Sequence, residues 1–221
     1  MKESLSSFLK DLLAVVLGIF ITFTIQGMID RSSDRKSARS SLELVRSELA
    51  RNIEDISIMR DYLYQEKRSA QYLLDHKDSL DKCPLDSLNY HSGIVFADVA
   101  MSLSHDAQEL LKMSSIFQKI GNNDLSMKII RAYDCCVTIV NTLNRHIADR
   151  DARFENSIDK ETAGLFAKGG RIDLGNYLKT DYGYYAIKWL TTQSDPQYFT
   201  DVTDLEEAIS AIDVYLGKKK K

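Results

Sequence analysis

Leu42-Glu-Leu-Val-Arg-Ser-Glu-Leu-Ala-Arg-Asn-Ile53 decides the fold class. Its apolar residues Leu42, Val45 and Leu49 continue as Ile56, Met59, Leu63, Ala70 and Leu73. With Asn52 and Glu66 in the gaps, the steps alternate 3, 4, 3, 4 throughout. Such spacing draws one stripe along an α-helix and sustains it for more than four heptads. Ile53 and Tyr62 widen the stripe, which suits a bundle better than a strict two-stranded coil. No glycine or proline lies between Ser32 and Asp78, so nothing interrupts the helix. Asn52 falls inside the seam. A buried amide there fixes register and partner number, or it faces a polar gap or a neighbouring loop.

Toward the N-terminus, Leu12 to Ile29 is an uncharged run of 18 residues, bounded by Lys10-Asp11 and Asp30-Arg31. As a helix it covers about 27 Å, against a hydrocarbon core of about 30 Å, and so reads as a transmembrane span. A signal peptide would be shorter and followed by a small-x-small site, which Gln26-Gly-Met-Ile-Asp30 does not offer. Leu12 to Asp78 is therefore expected to form a nearly continuous helix, with the polar stretch 31–41 as stalk or hinge. Lys2 and Lys10 precede the span, whereas Arg31, Arg35, Lys36, Arg39 and Arg46 follow it. The positive-inside rule then places the C-terminal part in the cytoplasm. Ala14, Gly18, Thr22 and Gln26 recur every four residues as a small or polar stripe. Stripes of this kind let helices approach closely in lipid and self-associate. Against this, Gly and Thr are common in single spans, and Gln26 is near enough to the boundary to meet headgroups.

Downstream, Lys82 to Gly93 holds Pro84, Asn89 and Gly93 and is expected to be a loop. Ile94 to Ile120 follows as helix, broken near Ser104-His-Asp106, with Ser104 or Asp106 as cap and Leu110, Leu111, Met113 and Phe117 packing inward. Gly121-Asn-Asn-Asp124 stops one helix and starts the next, capped by Asn123 or Asp124. A second rod carries Ile130, Tyr133, Val137, Val140, Asn144, Ile147, Asp151, Phe154 and Ile158 at the same 3, 4 spacing, flanked by Ile129, Cys136 and Leu143. Antiparallel packing of the two rods would bury both seams, with Asn52, Asn144 and Asp151 as polar specificity positions. Half of the ten glycines lie between Gly164 and Gly183. Gly169-Gly-Arg-Ile-Asp-Leu-Gly175 lacks the Gly-Lys-Ser/Thr ending of a phosphate loop. Two helices are expected beyond it, Asp181 to Gln193 and Leu205 to Leu216, the second capped by Asp201 or Thr203. The whole is all-α: tail and span over 1–30, a long-helix bundle over 31–163, and a glycine-rich loop with a small C-terminal helical subdomain over 164–221.

The net charge of −3 gives no support to nucleic-acid binding. Cys83, Cys135 and Cys136 lack metal-site spacing and read as small hydrophobes in a reducing setting. The four histidines are scattered, and no Glu-x-x-His pair marks a metal bundle. Ser104, His105 and Asp106 are consecutive and cannot form a triad, which is assembled from separate segments. Tyr182, Tyr184, Tyr185 and Trp189 read as core rather than as a ligand pocket. No catalytic residue, cofactor or metal is expected.

Val15-Val-Leu-Gly-Ile-Phe-Ile-Thr-Phe-Thr-Ile-Gln26, followed by Leu42 to Ile53, resembles an uncharacterised bacterial family of single-span membrane proteins. Leu110-Leu-Lys-Met-Ser-Ser115, Ile120-Gly-Asn-Asn-Asp-Leu125 and Ile130-Arg-Ala-Tyr133 look like that family's middle section. The match covers roughly the first 135 residues in outline and implies a bacterial inner-membrane location, with no catalytic residues to carry over. The expected partners are the lipid bilayer, further copies of the chain and a protein partner. The expected role is an oligomerising scaffold or interaction module. A membrane-tethered sensor or effector, whose bundle binds a ligand and alters helix packing in the membrane, is the alternative.

Overall fold

The computed structural model describes residues 2–113, 116–157 and 173–218. The side chains of residues 2–32 other than Leu17 and Gln26, and those of residues 116 and 118, are outside the description. Among the described residues every regular element is helical. The first helix, α1, runs unbroken from Lys2 to Asp75, about 110 Å at 1.5 Å per residue. Its seam is buried over its whole length: Leu42, Val45, Leu49, Asn52, Ile56, Ala70 and Leu73 have no exposed surface. Met59, Leu63 and Glu66 keep only 8, 5 and 2%. Among the described residues no helix is long and apolar enough to cross a membrane. The uncharged run lies within α1. The side chains of Ala14, Gly18 and Thr22 fall outside the described residues, and Gln26 is exposed.

After a short 3-10 turn, Leu80–Lys82, the chain enters α2, Leu85–Val95, where a loop was expected. Pro84 stands just before the first turn, where its missing N–H breaks no helical bond, and Gly93 is carried inside the helix. Helix α2 runs antiparallel to α1. The Tyr62 hydroxyl donates to the Ile94 carbonyl at 2.9 Å, and His91 Nδ1 is 3.0 Å from Ser69 Oγ. The break expected near Ser104-His-Asp106 is longer, a non-helical strap over 97–105. The helix resumes as α3, Asp106–Met113, and α4, Ile116–Ile120. Leu111 is buried and Phe117 half-buried, but Leu110 and Met113 are 54 and 84% exposed. An eight-residue helix lying against one neighbour buries only a narrow stripe. Gly121, at φ 63°, supplies the left-handed residue that ends α4. Asn122 Oδ1 then accepts from the Leu125 N–H at 3.1 Å, so the cap of α5, Asn123–Ser157, falls one residue earlier than expected.

The two long rods run parallel, not antiparallel. Tyr133 meets Glu48, Cys136 meets Asn52 and Arg150 meets Glu66, at sequence offsets of 85, 84 and 84 residues. Residues 83–120 have already made the return journey, and the Lys119–Asp34 ion pair at 2.8 Å marks how far down it reaches. Helix α5 therefore starts again from the base. Its inward stripe is centred one residue earlier than expected: Leu125, Ile129, Ala132, Cys136, Ile139 and Leu143 are buried together with Tyr133 and Ile147 of the expected seam, whereas Ile130 and Val137 are 37 and 59% exposed. Ile158 and the glycine-rich 164–172 lie outside the described residues.

The chain returns as α6, Leu174–Lys179, capped by Asp173, and α7, Asp181–Thr192, capped by Thr180. A 3-10 turn, Pro196–Phe199, leads into α8, Thr203–Leu216. The N-cap position is Val202, not Asp201 or Thr203 as expected, and Asp201 accepts from the Thr203 N–H at 3.0 Å from one residue outside it. Helix α8 descends antiparallel to α1. The Arg46 guanidinium forks onto the Asp213 carboxylate at 2.6 and 3.1 Å, and Arg39 donates to the Leu216 carbonyl at 2.8 Å. Gly217, at φ 71°, closes α8 with the paired N–H bonds of a Schellman turn, Gly217 to Val214 and Lys218 to Asp213. The result is an up-down-up-down bundle in which the second member is a composite of α2, strap, α3 and α4. The residues from 173 onward divide between two cores. Leu205, Ala208, Ile212 and Leu216 join the main core with α1 and α5. Tyr177, Leu178, Ile187 and Leu190 cover the top of α1 with Ala70, Leu73 and Val95.

Two glycines test this top cap. A Cβ at position 183 would come 2.2 Å from the Tyr177 carbonyl oxygen, whereas one at position 93 meets nothing within 4 Å. Gly183→Ala is expected to cost about 1–3 kcal/mol through backbone displacement. Gly93→Ala is expected to stabilise by about 0.5–1 kcal/mol through helix propensity. Urea unfolding of both variants decides this. A Gly183→Ala variant as stable as wild type would contradict the close packing of α7 on α6.

Candidate functional site

Two polar layers interrupt the apolar interior where α1 faces α5. The lower one is built on Glu48, half-buried on α1. Its Oε2 accepts from the Ser104 hydroxyl at 2.7 Å and from the Ala107 N–H at 3.0 Å, and its Oε1 accepts from the Tyr133 hydroxyl at 2.5 Å. A carboxylate from α1 thus caps the first turn of α3, where the helix dipole favours negative charge. One turn along, the Asn52 amide closes a two-way bond with the Ser104 backbone. Nδ2 donates to the carbonyl at 2.9 Å and Oδ1 accepts from the N–H at 3.1 Å. This pins the end of the strap, where the Ser104 backbone bonds α1 instead of a helical neighbour.

Burial works against the Glu48 charge, but the bonds from Tyr133, Ala107 and Ser104 outweigh it and hold the carboxyl below its ordinary range. Burial, reinforced by Glu48, raises the Tyr133 phenol. Burial also pushes the Cys136 thiol up to about 12, so it remains protonated and unreactive near neutral pH. A cleft of about 500 Å³ opens outward from this layer between α3 and α5. Tyr133, Cys136, Val137 and Val140 line it from α5, and His105 and Lys112 from the other wall.

The upper layer pairs Glu66 with Arg150, 2 and 3% exposed. Arg150 Nη1 donates to Glu66 Oε1 at 3.0 Å, and Nη2 donates to Asp151 Oδ1 at 2.8 Å. The His146 Nε2 atom is buried without a hydrogen-bond partner, 3.8 Å from Glu66 Oε2. The His146 ring stacks on Trp189 of α7 at 5.2 Å between centroids, and Arg153 lies 4.8 Å over the same indole. Burial beside Glu66 raises the Tyr62 phenol to about 12. Burial opposes the Arg150 charge, and the bonds to Asp151 and Glu66 overcome it, so the guanidinium pKa is raised.

The residues singled out by sequence separate in space. Asn52 is fully buried in the lower layer. Asn144 is exposed, because the stripe of α5 lies one residue away, and Asp151 is half-buried at the edge of the upper layer. Of the four aromatics expected in the core, Tyr182 and Tyr185 are 65 and 66% exposed, whereas Tyr184 and Trp189 are half-buried against the top core, and Gly183, Ala186, Ile187 and Leu190 of α7 are buried. Cys136 is buried as a small hydrophobe, while Cys83 and Cys135 are half-buried thiols. Ser104 spends its hydroxyl on Glu48, not on His105. Among the described residues no cluster of three or more His, Cys, Asp or Glu could hold a metal ion.

Glu48, His146 and Arg150 carry the layers and were not singled out by sequence. A signal existed for two of them: His146 and Arg150 complete the 4, 3, 4, 3 register of Leu125, Ile129, Ala132, Cys136, Ile139 and Leu143. Comparison with protein families, with characterised proteins and with solved structures finds no match to this chain.

Proposed function

We propose that this chain is a single-pass, membrane-anchored helical interaction module of a bacterial inner membrane, without enzymatic activity. Residues 12–29 cross the bilayer, and the bundle stands on the cytoplasmic side. The observation that carries this reading is the continuity of α1 from Lys2 to Asp75. One rod contains both the uncharged 18-residue run and the seam around which the bundle is built. A packing change at either end is therefore transmitted along a single element. The excess of arginine and lysine after the run sets the orientation, and the resemblance of 15–26 and 42–53 to single-span bacterial proteins points the same way. Copies associate through Ala14, Gly18, Thr22 and Gln26, and the bundle presents a surface to a protein partner.

Mass photometry in detergent is expected to find an oligomer that Gly18→Leu dissociates; a monomer unchanged by that substitution overturns the self-association. Reporter fusions at the C-terminus are expected to be active on the cytoplasmic side only. A sensor role is favoured by one feature, the cleft of about 500 Å³ lined by Ser104 and Tyr133, both of which bond Glu48 on α1. A small molecule that copurifies from native membranes and is lost in a Val137→Trp variant supports that second reading.

A further inference from the structure

Folding gathers basic side chains that are far apart in sequence at one end of the bundle. Arg35, Lys36 and Arg39 are exposed on α1 just below Ala38, the first buried position of the main core. Lys119, at the end of α4, lies beside them through its 2.8 Å pair with Asp34. Lys218 follows the C-terminal end of α8 and reaches Glu43 at 3.8 Å. Lys119 and Lys218 occupy Asp34 and Glu43, and Asp124 at the start of α5 meets Lys128 at 4.0 Å, which leaves the three α1 cations in excess. The Arg39 guanidinium donates to the Leu216 carbonyl rather than to a carboxylate.

We propose that this collar binds the headgroups of anionic phospholipids. The inference rests on residues 12–29 crossing a bilayer. Arg35 and Lys36 then lie about 9–10 Å beyond the end of the uncharged run, and Arg39 about 15 Å beyond it. That places them at or just outside the headgroup layer, within reach of its negative potential at a Debye length of about 8 Å. The same proximity disfavours an acidic protein as the occupant, since the bilayer itself occludes approach from below. Lipid contact at the collar holds the bundle upright on α1, a role that the span alone does not perform.

The test uses the full chain in nanodiscs of phosphatidylcholine, with or without phosphatidylglycerol, and reads amine labelling of individual lysines by mass spectrometry. Lys36 and Lys119 are expected to label about fivefold more slowly in the anionic discs. Lys77 and Lys188, at the opposite end, serve as internal controls and are expected to label equally in both. Protection is expected to vanish in 0.5 M salt, and Arg35→Glu with Lys36→Glu is expected to restore labelling at Lys119. A chain that stays in the discs but labels alike in both lipids overturns the collar and leaves the anchor standing. Equal protection in both lipids assigns the surface to a second copy and also overturns it. A chain that elutes apart from the discs overturns the anchor, and the collar with it.

Discussion

Arg150→Ala is expected to lower the unfolding free energy by about 3–5 kcal/mol, the usual result of leaving one member of a buried ion pair without its partner. Glu66 keeps 2% of its surface in the wild-type chain, and Arg150 Nη1 is the cation bonded to it, at 3.0 Å. With the guanidinium gone, the carboxylate faces only the Tyr62 hydroxyl region and an imidazole nitrogen 3.8 Å away. Taking both charges out has a different outcome. Glu66→Leu with Arg150→Leu removes the desolvation cost together with the attraction, and stability is expected to return to within about 1–2 kcal/mol of wild type or to exceed it. Urea midpoints at unchanged m-value separate the cases. If the double variant is as unstable as the single one, the pair does not act as a self-contained unit, and Asp151 or His146 carries part of the load.

That pair also shows what the sequence made legible. The seam of α1 reads correctly at every position because its polar members, Asn52 and Glu66, are isolated between aliphatic residues, so the 3, 4 pattern survives them. Helix α5 offers two apolar registers one residue apart. Ile130, Tyr133, Val137 and Val140 compete with Ile129, Ala132, Cys136 and Ile139. One step turns a helix by about 100°, so the choice decides which face is core. The true register ends in His146 and Arg150, and a stripe ending in charge looks wrong until Glu66 is seen opposite it. Asn144 looked like a seam residue for the same reason and is exposed. The parallel run of the two rods was hidden too. It depends on the strap and short helices of 83–120 filling the return path, and their path is set by Asn52 and Glu48 bonding to a distant backbone. Periodicity carries no information about such contacts. The exposure of Tyr182 and Tyr185 follows from the same limit: aromatic content predicts burial only when something lies opposite.

Glu48 is the second position at which one substitution should have a large effect. Glu48→Ala removes an acceptor shared by the Tyr133 hydroxyl, the Ser104 hydroxyl and the first turn of α3. Bonds to a charged group and a helix cap are lost together, which is expected to cost about 2–4 kcal/mol. Tyr133→Phe is expected to cost about half as much. The double variant should lose less than the sum, because the two groups meet in one network. The pH dependence follows from the lowered pKa of this carboxyl. A carboxylate held below its unfolded value, near 4.3, contributes fully above that value. The contribution fades as pH falls through the unfolded and then the folded pKa. The stability difference between wild type and Glu48→Gln is therefore expected to be constant from about pH 7 to 5 and to shrink toward pH 3. A difference that grows on acidification would mean that the protonated acid is the form the fold prefers. Glu48 would then act as a hydrogen-bond donor, and the capping of α3 by a negative charge would have to be abandoned.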